Sequence, residues 1–183
     1  MNRVKCIGVI AFVVFILFGC ESSQKDIFDV LKDSILDSKI EQVRINLVLN
    51  EKYNLKDTVI EDEGVEWKAV LLKERGNNRL LAILETNWEN QTVISRITIV
   101  DESIGKGNYR VGSQFKEVKD SIDSTNLNNS PDGVLALTSK RDKRINILLD
   151  LPETSPLTEG VSSLNEIPDK LQIKEIVFLK LDN

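Results

Sequence analysis

The chain has 183 residues, 24 of them basic and 29 acidic, with a net charge of −5 and a mean hydropathy of −0.16. That balance is a poor match for nucleic acid or an anionic lipid surface, which attract Lys and Arg. There is no histidine, so the commonest general base and transition-metal ligand are missing. No phosphate-binding glycine loop, dinucleotide fingerprint or nucleophile elbow is present, and no cofactor is implied.

At the N-terminus, Arg3 and Lys5 precede an apolar run from Cys6 to Phe18. The order of basic, apolar and small residues is that of a secretory signal, and the run falls short of the roughly 20 residues of a membrane span. Leu17-Phe18-Gly19-Cys20 resembles the lipobox of bacterial lipoproteins, with a phenylalanine where a small or aliphatic residue is usual. The resemblance implies that residues 1–19 are a signal peptide, that Cys20 is acylated with fatty acid such as palmitate, and that residues 20–25 are a lipidated tether. Glu21, where an aspartate resembles an inner-membrane retention signal, implies the outer membrane of a diderm, facing periplasm or cell surface. An ordinary signal peptide with a free Cys20, and an uncleaved anchor, are the alternatives. Cys6 would leave with the signal and Cys20 would carry lipid, so no intramolecular disulfide or free thiolate would remain. An exported domain of this kind relies on its core, and a chain of this length can build one.

Beyond the tether, residues 26–183 read as an α+β domain. Ile27, Phe28, Leu31 and Ile35 share one helical face, which predicts a helix from Asp26 to Asp37 capped by Ser23 or Asp26 and packed on the domain's core or on a partner. Val43, Ile45, Leu47 and Leu49 alternate and predict a strand. Glu61-Asp62-Glu63-Gly64 punctuates the chain before a strand over Val65 to Leu72, in which Trp67, Ala69 and Leu71 share a face. Arg75-Gly76-Asn77-Asn78 is a turn by composition, and strands over Arg79 to Thr86 and Thr92 to Asp101 complete a three-stranded meander.

The second half follows a similar order. Phe115, Val118 and Ile122 form a helical stripe in Ser113 to Ile122, with Ser113 as the cap and Gly112 supplying backbone freedom at the preceding turn. Val111-Gly112-Ser113 with Phe115 and Val118 resembles a module of small, uncharacterised envelope lipoproteins of the outer-membrane assembly type, in which a glycine starts a short helix leading into a β-meander. A surface loop is expected over Asn126 to Asp132. Strands over Val134 to Ser139, Arg144 to Leu151 and Leu171 to Leu181 follow, the first two joined by a charged turn at Lys140 to Lys143. Two units of helix plus three-stranded antiparallel meander, 26–104 and 105–183, would account for most of the domain, with helices covering one apolar sheet face.

Candidate functional residues are few. Glu61, Asp62, Glu63 and Glu66 are close enough to raise paired-carboxylate catalysis, although adjacent residues of an extended chain point to opposite faces. Calcium is the other use for such oxygens, there or at Asp123, Asn126, Asn128 and Asp132, but neither segment has EF-hand spacing and both read as solvated loops. Trp67, Tyr53 and Tyr109 read as core. Trp88, between Asn87 and Glu89 in an expected hairpin loop, reads as a binding residue or as an indole folded back onto the sheet. The expected function is a membrane-anchored, noncatalytic envelope module that binds or scaffolds another envelope protein. The alternative is a small inhibitor or immunity lipoprotein that blocks an enzyme with Glu61 to Gly64, and a carboxylate-dependent hydrolase is a third reading.

Overall fold

The computed structural model describes residues 26–48, 52–129, 135–152, 155, 157 and 161–181; the expected signal segment 1–19 and the expected tether 20–25, Cys20 included, lie outside these. The first element is helical over Ile27–Val30 (α1) and continues as a wide π turn over Leu31–Ile35. Its cap is Asp26, whose Oδ1 accepts a 3.0 Å hydrogen bond from the Phe28 amide, satisfying one of the donors that a helix start leaves open. The π turn closes with a Leu36 N–H to Leu31 C=O bond of 2.9 Å, and Phe28, Leu31 and Ile35 are buried.

The segment expected as a strand over Val43 to Leu49 is instead a helix, Ile40–Val48 (α2). The correction has a simple cause. Ile40, Val43 and Leu47 are also spaced for one helical face, and a short apolar run satisfies both periods. Val43 and Leu47 are buried in the core that α1 enters.

An edge strand that the alternation did not reveal, Tyr53–Asp62 (β1), pairs with Val65–Glu74 (β2) along its whole length. Leu80–Thr86 (β3) and Ile94–Ile99 (β4) extend the meander, so the first half contributes four strands rather than three. A small ribbon, Gly105–Lys106 (β5) with Tyr109–Arg110 (β6), opens the second half. Gly112 has φ of +84°, a conformation that glycine adopts at little cost. It leads to the one-turn helix Phe115–Val118 (α3) and a 3₁₀ turn over Lys119–Ser121. The cap is Gln114 rather than Ser113: the Glu117 carboxylate accepts from the Gln114 amide at 3.0 Å, while the Ser113 carbonyl accepts from Ile173 N–H.

Part of the expected loop at Asn126 to Asp132 is strand. Ile122–Asn129 (β7) pairs with Leu135–Ser139 (β8) across a bulge between Ile122 and Leu127, and residues 130–134 lie outside the described residues. Its polar composition suits the outer edge of a sheet, where one side of the backbone faces water. Ile145–Leu149 (β9) and Ile173–Leu179 (β10) complete the architecture.

The eight strands of the main sheet run β1-β2-β3-β4-β10-β9-β8-β7, with every neighbouring pair antiparallel. Register places Leu72, Leu84, Ile97, Ile99, Ile176, Phe178, Ile147 and Leu137 on one face, and these join Phe28, Leu31, Val43, Leu47, Phe115 and Val118 in one core. The helices therefore lie on a single face of an antiparallel sheet, an α+β arrangement. Phe28 of α1 meets Phe178 of β10 edge-to-face, ring centroids 4.9 Å apart, the geometry that the ring quadrupoles favour. No helix among the described residues is long and apolar enough to cross a membrane.

A charged cluster fastens the π turn to the β8–β9 turn: Arg144 and Lys32 reach Asp142 at 2.8 and 3.3 Å, and Arg144 also reaches Asp33 at 3.3 Å. The Arg144 guanidinium, and then Lys32, hold the Asp142 carboxyl at about 2, against the opposing effect of burial.

Two predictions follow from this packing. Phe28→Ala or Phe178→Ala should cost about 3–5 kcal/mol, because each removes a buried ring from a core without room to collapse, and urea unfolding would measure it. Asp142 is depressed from 3.8 to about 2, so its stabilisation is complete above about pH 4 and drains away as pH falls through the folded value. Asp142→Asn should therefore lower the urea midpoint at neutral pH and narrow the gap to wild type near about pH 2.

Candidate functional site

On the face away from the helices, register lines up Ala69, Glu85, Arg96 and Leu179 across β2, β3, β4 and β10. Trp67 stands two residues before Ala69 on the same face, as the alternation predicts. That face is the open one, however, so Trp67 is half-buried rather than a core residue. The loop 87–93 borders this end of the sheet, and its Trp88 is 61% exposed. Between them is an open groove of about 390 Å³, lined by both tryptophans with Glu85, Asn87, Asn90, Ser95, Arg96 and Leu179.

The groove is organised by one carboxylate. Glu85 is only 8% exposed; its Oε1 accepts from the Trp67 indole N–H at 3.2 Å, and its Oε2 lies 3.5 Å from Arg96 Nε. A buried carboxylate without such partners would be costly. Here it fixes the plane of one indole and the root of one guanidinium together. Arg96 Nε also donates to Thr98 Oγ1 at 3.3 Å, which leaves both terminal nitrogens of its guanidinium without a partner among the described residues.

The loop is equally ordered. Asn87 Oδ1 accepts from Glu89 N–H at 2.8 Å and Asn90 Oδ1 from Thr92 N–H at 3.2 Å, two Asx turns of the kind that hold short polar loops. Both amide nitrogens are free of partners among the described residues. Gln91 Nε2 donates to the Glu66 carbonyl and Thr86 Oγ1 to the Lys68 carbonyl, each at 2.9 Å. These two side chains occupy carbonyls of β2 beyond the point where β3 pairs with it.

The acidic stretch belongs to a separate feature. Glu63 and Gly64 have φ of +50° and +82° and form the two-residue turn of the β1–β2 hairpin, the left-handed pair that type I′ turns require. The β3 ladder on β2 begins at Ala69, so the hairpin runs some four residues past it, about 13 Å at the usual rise per residue. Glu61, Asp62, Glu63 and Glu66 are all exposed there, and Val59 is 57% exposed. Glu61 and Glu66 are direct cross-strand partners on one face, whereas Asp62 faces Val65 on the other. None of these acids lines the groove with Trp88.

The remaining candidates are spent elsewhere. Asp123 is ion-paired with Lys143 and accepts from Thr125, which holds its carboxyl well below the usual range; Asn126 and Asn128 lie on β7, and Asp132 lies outside the described residues. Tyr53 and Tyr109 pack against the core, the latter donating from its hydroxyl to Ser139 Oγ at 2.9 Å; burial, Asp26 and Glu74 push the Tyr53 hydroxyl up. Glu85 and Arg96 were not candidates in the sequence, because only register brings them beside Trp67.

No family model and no curated protein match the chain. Its fold is similar to the crystal structure of the uncharacterized protein yfeY from Escherichia coli, with a TM-score of 0.54 and 14% identity over 79% of this chain and 90% of that one. A likeness at that identity bears on the fold alone.

The hairpin yields a prediction of its own. Like charges directly opposite on a sheet repel, so Glu66→Lys, which turns the Glu61 pair attractive, should raise stability by about 0.2–1 kcal/mol in low salt and by less in high salt. Paired urea titrations at the two ionic strengths would measure the effect.

Proposed function

We propose that the chain is a lipid-anchored, noncatalytic binding module of a bacterial cell envelope, held by an acylated Cys20 after loss of residues 1–19 and stationed at the outer membrane. The groove carries the binding part of this reading: both tryptophans in the chain line one open depression at the end of the sheet, one of them 61% exposed. Tryptophan is enriched where binding energy is concentrated. The noncatalytic part draws support from the chemistry of the lining. Glu85 is the one carboxylate there among the described residues, it is committed to Trp67 and Arg96, and glycoside hydrolysis as usually performed takes a pair.

The domain is further read as two tandem units, 26–104 and 105–183. Each would supply helix and meander, and the order β1-β2-β3-β4 against β10-β9-β8-β7, with the two last strands paired antiparallel at the centre, is what a twofold-related duplication would produce.

A second reading, an inhibitor or immunity lipoprotein, is favoured by one specific observation. The β1–β2 hairpin presents Glu61 and Glu66 as a directly opposed like-charge pair beyond the end of β3, which a basic cleft would relieve.

Palmitate labelling tests the anchor: wild type should take up label and Cys20→Ser should not, and an unlabelled wild type would sink it. Photocrosslinkers placed at Trp88 and at Glu63 in intact envelopes separate the two binding readings. Adducts from Trp88 to a resident envelope component support the module, and adducts from Glu63 alone to a hydrolase support the inhibitor. Turnover of a glycan that Glu85→Gln abolishes would overturn both.

A further inference from the structure

The proposed binding role of the groove can be taken to a class of ligand, because its lining is selective in charge, shape and backbone access. Charge is balanced: Glu85 is offset by Arg96, and Lys180, which also borders the groove, reaches Asp37 at 2.5 Å. A strongly anionic or cationic polymer would find no complementary field there. Backbone access beside the groove is reduced, since the Glu66 and Lys68 carbonyls of β2 already accept from Gln91 and Thr86. An extended peptide that adds as a strand depends on such groups, and here they are taken.

What remains is recognition by side chains alone. Two indoles offer flat apolar faces, one clamped by its N–H to Glu85 and the other exposed. Around them the Asn87 and Asn90 amide nitrogens and the Arg96 terminal nitrogens offer unpartnered donors. A pyranose ring has the matching chemistry, with a face of C–H groups and a rim of hydroxyl oxygens. The groove is open rather than enclosed, and at about 390 Å³ it lies at the small end of the ~300–1,000 Å³ typical of ligand sites. An open site of that size suits a few rings of a chain that continues out at both ends.

We propose that the Trp67–Trp88 groove binds a neutral glycan chain, stacking sugar rings on the two indoles and taking hydroxyl contacts from Asn87, Asn90 and Arg96. This inference rests on the reading of the groove as the binding site.

Because Trp67 and Trp88 are the only tryptophans, intrinsic fluorescence reports on the groove directly. The full chain, purified in a detergent without a sugar headgroup, is titrated with cellotetraose, maltotetraose and the tetramer of N-acetylglucosamine. At least one should give a saturable blue shift at up to millimolar concentration. Trp88→Ala, at an exposed position where folding is not at stake, should weaken that binding about tenfold or more by calorimetry, as loss of a ~1.4 kcal/mol stacking contact would. Arg96→Lys, which keeps a cation beside Glu85 but removes the terminal guanidinium donors, should weaken it as well. Silence with all three sugars, or binding unchanged in Trp88→Ala, overturns the glycan. A silent titration together with a protein adduct from the Trp88 crosslinker overturns the glycan and leaves the binding module standing; silence in both removes the two together.

Discussion

The pairing of β4 with β10 is the constraint on which the rest of this fold depends. Ile97 lies opposite Phe178 and Ile99 opposite Ile176, residues from the middle and the end of the chain. Without that ladder the protein would be two four-stranded meanders, each with an uncovered edge and half a core. With it, the core face is continuous from Leu72 to Leu137, and α1 can set Phe28 against Phe178. Contacts of such sequence separation bring their reward only after a long loop is closed, so the central seam should form late and cooperatively. The groove depends on the same seam, because Arg96 and Leu179 are cross-strand partners on its other face.

Legibility followed burial on one face only. β2, β3, β4, β8, β9 and β10 were readable because a strand with one covered face carries period-two apolar residues, but in β10 a bulge between Ile173 and Glu175 moves the covered set from Ile173 to Ile176 and Phe178 and leaves Val177 and Leu179 on the open face. β1 was not, because an edge strand exposed on much of both faces has no reason to alternate. β7 is similar, its polar residues reading as a loop. At α2, Ile40, Val43 and Leu47 satisfied a helical period while Val43 to Leu49 satisfied a strand period, and nothing local could arbitrate. The wide turn at Leu31–Ile35 likewise has no signature separate from the helix that it extends.

The candidate site divides the same way. Trp88 was visible as an indole among polar loop residues, a local signal. Trp67 was placed on the correct side of its strand relative to Ala69 and Leu71, yet that side is the open face, because apolar residues occupy both sides of β2 and periodicity does not say which one is covered. Glu85 and Arg96 carry no sequence signal at all. Their importance comes from register, which makes them direct partners beside an indole, and from a burial of Glu85 that would be costly were its two oxygens not satisfied. Trp67, Glu85 and Arg96 thus hold one another in place, and the groove has a preformed wall rather than one assembled on binding.

The geometry of the layers also constrains how such a groove would be presented. The described chain begins at Asp26, which caps α1, and α1 lies in the helical layer through Phe28. The groove lies on the opposite face of the sheet, with Glu85 and Arg96. The β2 carbonyls beside the groove are already occupied by Gln91 and Thr86, and an unprotected strand edge invites pairing with other chains. Occupying these two carbonyls while leaving an indole uncovered separates two kinds of stickiness: this stretch of β2 offers less to an added strand, and the side chains beside it remain open to a ligand of matching shape.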